Sequence, residues 1–146
     1  MKKELVVKLN KYLADVAVSY IKMHNLHWNI VGSQFKAVHE YLETIYDSYA
    51  DVLDEVAEAL RMNDELPLAS LKDYLEVTSI KELDSKEISI VDALNITIED
   101  IKTLKAEAFE IRNDADEQDL YSIVDIMEDN ISNYEKTLWF LKSTVR

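Results

Sequence analysis

A chain of 146 residues with one glycine, Gly32, and one proline, Pro67, lacks the residues that punctuate tight turns. An all-β sandwich or barrel is therefore excluded, and so is a glycine-rich phosphate loop. The 48% hydrophobic content supplies a core, no apolar run approaches the ~20 residues of a membrane-spanning helix, and the absence of cysteine removes disulfides and thiolate chemistry. A formal charge of −13 opposes binding of nucleic acid or anionic lipid by the bulk surface and suits a protein that handles cations.

In chain order, the opening Met-Lys-Lys-Glu-Leu-Val-Val-Lys-Leu-Asn has no long apolar run, so no signal peptide is expected. With no cysteine, a cytoplasmic protein is the expectation. After a short tail of about four residues, a helix is predicted over about 4–30 from the 3-4-3-4-3 spacing of Val6, Leu9, Leu13, Val16, Tyr20 and Met23. Gly32-Ser33 breaks it, with Ser33 as the expected N-cap of a second helix over about 35–62. That helix carries Phe35, Val38, Leu42, Ile45, Tyr49, Val52 and Val56.

A connection of roughly 24 residues follows, longer than the ~2–8 usual in bundles, and Pro67 opens it. Such a crossover lets the second and third helices run parallel. Within it, Ser70-Leu-Lys-Asp-Tyr-Leu75 reads as a short capped helix. Asp84-Ser-Lys-Glu87 and Asp114-Ala-Asp-Glu117 resemble capping boxes. They predict third and fourth long helices over about 87–112 and about 117–143. The third carries Val91, Leu94, Ile98, Ile101, Leu104, Ala108 and Ile111; the fourth carries Leu120, Val124, Met127, Ile131, Tyr134, Leu138 and Leu141. The expected fold is all-α, a single four-helix bundle over 1–146 with a short helix in the long connection between the second and third helices.

All three histidines, His24, His27 and His39, lie within 16 residues. His39 and Glu43 are four apart on the second helix, as are Asp54 and Glu58, and the four positions share an arc of ~100°. Acids four apart repel, so helix stability does not explain Asp54 and Glu58, although a solvated acidic face would. Acids with histidine suit Fe²⁺, Mn²⁺ or Zn²⁺. Glu43 and Asp54 are separated by a rise of ~16 Å, and metal–ligand bonds are ~2 Å, so one chain cannot close both halves on one metal. The chain also contains no Glu-x-x-His, the signature of a site inside a single di-iron bundle. If both halves serve one metal, they come from different subunits across a two-fold axis, with His27 joining the first half.

The segments His24-Asn-Leu-His27-Trp28-Asn, Phe35-Lys-Ala-Val-His39-Glu40 and Asp54-Glu-Val-Ala-Glu58, with Leu138-Trp139-Phe140 in the last helix, together resemble the ferroxidase signature of the Dps family of mini-ferritins (DNA protection during starvation). The resemblance implies a ferritin-like fold, a hollow dodecamer, and Fe²⁺ oxidation at two-fold interfaces. The oxidant is preferentially hydrogen peroxide, with oxygen as the alternative, and ferric mineral is stored inside. By motif, His27, His39 and Glu43 come from one subunit and Asp54 and Glu58 from the other. Zn²⁺ or Mn²⁺ fits the same donors. The family usually has aspartate where this chain has Glu43, which keeps the carboxylate and moves it by about one methylene. Glu40 resembles a nucleation residue, and Ser122-Ile-Val-Asp125-Ile-Met, with Asp129, resembles a three-fold pore lining; each also reads as ordinary polar surface. Trp28 reads as core or as a neighbour of the iron site, and His24 as a bystander. Lys2 and Lys3 ahead of the first helix are too few for the basic tail that condenses DNA, so little DNA binding is expected. The competing readings are a non-catalytic helical assembly protein and a DNA-protecting structural assembly with little iron chemistry.

Overall fold

A computed structural model describes residues 1–146. The chain forms α1 (Lys3–Asn29), β1 (Ile30–Val31), α2 (Phe35–Met62), α3 (Leu71–Val77), β2 (Ile88–Ser89), α4 (Ile90–Glu117) and α5 (Tyr121–Val145). The four long helices pack as a bundle: α1 lies on α2, α4 on α5, and the two hairpins close through α1–α4 and α2–α5. Side-chain pairs run in opposite directions along α1 and α4, from Lys8–Asp114 through Lys11–Glu107 to Lys22–Asp100. Those two helices are therefore antiparallel. Because α2 also runs back along α1, α2 and α4 are parallel, as the long crossover predicts.

One core of 30 buried residues spans all four long helices. The apolar stripes form most of it; Val6, Tyr20, Leu120 and Ile131 are partly buried against it, and at two helix starts Phe35 and Val91 are exposed. A first-turn residue projects past the end of the bundle before the helix is covered by its neighbours. The short helix α3 is capped by Ser70, whose hydroxyl accepts from Asp73 N at 3.1 Å.

Three expectations about helix ends are corrected. Gln34, not Ser33, precedes α2, with no side-chain cap. Helix α4 starts at Ile90 with Ser89 accepting from Asp92 N, so Asp84-…-Glu87 lies outside it. Residues 88–89 instead pair in parallel with 30–31, a two-residue ladder that the bundle reading does not contain. Asp114-…-Glu117 does not start the last helix: it is the final turn of α4, which runs on to Glu117.

The single glycine sits where the chain demands it. Gly32 has φ +151°, and a Cβ there would lie 2.9 Å from the Ile90 side chain at the start of α4. Only glycine adopts that backbone without strain, so the α1–α2 turn can be short and lie close against α4. This turn places the end of α1 beside the beginning of α2, where the histidines lie.

Candidate metal centre

His27 lies in the last turn of α1 and is 5% exposed; His39 lies just past the first turn of α2. Their rings stack at 3.6 Å between centroids and 13° between planes. Each Nδ1 is 2.7 Å from the other residue's backbone carbonyl oxygen. A carbonyl only accepts, so both Nδ1 atoms carry the proton and donate. The His27 carbonyl, in the last turn of α1, otherwise lacks an intrahelical partner. The reciprocal bonds thus join the two helices and leave both Nε2 atoms with free lone pairs. Fixing Nδ1 in this way is how proteins orient a histidine for a metal.

Glu43, one turn beyond His39, brings Oε1 to 3.8 Å from His27 Nε2. Its side chain is 54% exposed. The structure therefore brings the buried His27 ring, the His39 ring and the half-exposed Glu43 carboxylate together. Asp54 and Glu58 are exposed on the same helix, ~16 Å further along by helix rise. Within one chain no three His, Asp or Glu side chains are arranged to hold a metal ion.

Around the half-site is an aromatic collar. Phe35 stacks on His39 at 4.9 Å, Tyr46 meets His27 edge-on at 5.2 Å, and His24 stacks on Tyr46 at 3.8 Å. Trp28 is 66% exposed and tilts against His24 at 5.5 Å, which corrects the core reading of this residue. Glu40 is exposed and 3.9 Å from Lys36. Asp125 is exposed on α5, and Asp129 lines a cleft of about 410 Å³ between α2 and α5. Tyr46 carries no metal-ligand signature in the sequence. Its only signal was position, three residues after Glu43 on the same helix face.

A Ferritin model, described as a ferritin-like domain, matches residues 6–146. The DNA protection during starvation protein of Helicobacter pylori is 32% identical over 130 residues, covering 89% of this chain and 90% of that protein. The crystal structure of antigen TpF1 from Treponema pallidum superposes with a TM-score of 0.95 at 34% identity, covering 98% of this chain and 92% of that one. A Dps protein from Vibrio cholerae, described as a member of a broad superfamily of ferritin-like diiron-carboxylate proteins, superposes with a TM-score of 0.93 at 28% identity, covering 99% and 90%. The chain belongs to the ferritin-like family and, within it, to the Dps mini-ferritins.

Proposed function

We propose that this protein is a ferroxidase and iron store. Fe²⁺ is its substrate and hydrogen peroxide its preferred oxidant, and the protein protects the cytoplasm against oxidative stress. The observation that carries this reading is the reciprocal His27–His39 tether, which leaves both Nε2 atoms free, with Glu43 Oε1 3.8 Å from that of His27. A two-imidazole, one-carboxylate set with open positions suits Fe²⁺ and leaves room for an oxidant. Asp54 and Glu58 of a second copy complete it across a two-fold axis, because helix rise keeps the same chain's own pair out of reach. Two Fe²⁺ give two electrons and, with two protons, reduce one H₂O₂ to two waters, so no hydroxyl radical is released. Twelve copies would form the shell that holds the ferric product. Asp125 and Asp129 would line its pores and draw cations inward, and Glu40 would nucleate mineral on its wall.

A complementation experiment tests both the chemistry and the shared site. Fe²⁺ is mixed anaerobically with protein, H₂O₂ is added, and ferric absorbance is followed. His39→Ala and the Asp54→Ala/Glu58→Ala pair should each fall to the protein-free rate. Co-refolding the two variants in equal amounts should restore roughly a quarter of the wild-type sites, since half the dimers are mixed and each mixed dimer has one intact site of two. No oxidation by the wild type sinks the ferroxidase. Inactive variants whose mixture stays inactive place the site within one chain.

A further inference from the structure

We propose that Tyr46 is a positioning residue, whose hydroxyl holds the Glu43 carboxylate in place for metal and whose ring is itself held by His24. The proposal rests on the metal site argued above and concerns how its most mobile ligand is ordered. Glu43 is a long, half-exposed side chain with several rotamers open to it, and a ligand that wanders binds weakly. Tyr46 Oη donates to Glu43 Oε1 at 3.2 Å, and that same oxygen is the one 3.8 Å from His27 Nε2. Residues 43 and 46 are three apart on α2, so the bond joins side chains one turn apart on one helix face.

The phenol is a useful tether only if it is fixed, and it is packed on three sides. Its face lies on the His24 ring at 3.8 Å and 25°. It makes edge contacts with Tyr20 at 6.1 Å and His27 at 5.2 Å. His24 is in turn anchored, its Nδ1–H donating to the Tyr20 carbonyl at 2.7 Å. A continuous chain therefore runs from the α1 backbone through His24 and Tyr46 to Glu43. His24, three residues before His27 on α1, supports the site from outside the ligand set. A carboxylate with one more methylene than aspartate has more freedom to lose, and the tether removes it before metal arrives.

Co²⁺ titration followed by its d–d absorbance, with Co²⁺ as a probe that peroxide chemistry does not consume, tests this in four proteins: wild type, Tyr46→Phe, Glu43→Ala and the double variant. Tyr46→Phe keeps the ring and deletes only the hydroxyl. We expect it to weaken Co²⁺ binding about tenfold, the size typical of losing a ligand's hydrogen-bond partner, with Tm unchanged. In the Glu43→Ala background the same change should have no effect, because nothing remains to tether. Wild-type affinity in Tyr46→Phe overturns the proposal, as does an equal loss in both backgrounds, which would mark a general structural effect. Absence of Co²⁺ binding by the wild type sinks the metal site itself, and the tether with it.

Discussion

Asp15 is fully buried in the middle of an apolar stretch of α1, and Glu107 faces it from α4. Lys11 Nζ bridges them at 2.7 and 2.6 Å and also reaches Ser79 Oγ at 2.9 Å. Burial alone would raise the Asp15 pKa. Hydrogen bonds from Glu107, Lys11, Thr78 and the Ser79 backbone outweigh it and bring Asp15 down to about 2. Burial, reinforced by the Asp15 carboxylate, pushes Glu107 up to about 8, and Lys11 offsets only part of that. The pair thus holds one proton at neutral pH, on Glu107, whose Oε2 is buried. Because the folded Glu107 pKa is raised, the folded state binds the proton more tightly than the unfolded chain. Stability from this group is then full below the usual glutamate range near pH 4.5 and declines as pH rises to about 8. Asp15 acts in the other direction, losing its contribution as pH falls from about 4 towards 2. Glu107→Gln copies the protonated form, so its Tm should fall less than the wild type's between pH 5 and pH 8.5. Thermal melts across that range check it, and equal declines would remove Glu107 from the account.

At the scale of elements, a chain with almost no glycine ends two of its long helices on aspartate. After α2, Asp64 has φ 60°, its N–H reaches Arg61 O at 3.1 Å, and Glu65 N–H reaches Leu60 O at 3.0 Å. After α4, Asp119 has φ 56°, with Asp119 N–H to Asp116 O at 3.1 Å and Leu120 N–H to Ala115 O at 2.9 Å. Both are Schellman closures with aspartate at the left-handed position, which its short polar side chain tolerates better than most. This explains why Asp114-…-Glu117 reads as a helix start although it closes α4. Aspartate serves both ends of helices, and with no glycine to mark the stop, spacing alone could not say which Asp closed α4. A β-branched residue cannot take that backbone cheaply, so Asp119→Val should destabilise the fold by about 1–2 kcal/mol. Chemical denaturation reads the loss directly, and an unchanged midpoint would show that the turn can rearrange.

For the whole molecule, charge sets the partners. A net −13 per chain repels a polyanion that comes within the ~8 Å screening length of physiological salt. Plasmid DNA mixed with the protein at physiological salt should therefore migrate unretarded in a gel, and a retained band would restore the DNA-protecting reading. The same sequence carries most of what defines the fold. Periodic stripes such as Leu9-Leu13-Val16 and Leu42-Ile45-Tyr49-Val52 name the buried faces, because burying one face of a helix needs only the right spacing. Half of the proposed site was equally legible: His39 and Glu43 share a helix face whatever the tertiary structure, and helix rise already separates them from Asp54 and Glu58. The crossing of α1 and α2 decided the rest. It set His27 against His39 in reciprocal bonds to each other's carbonyls and seated Tyr46 on His24, while the packing of α1 on α4 brought Glu107 to Lys11. Contacts within a helix follow from a fixed repeat, so sequence alone determines them. Contacts between helices depend on rotation and axial offset, which emerge only when whole faces pack, and so the order of the site belongs to the tertiary structure.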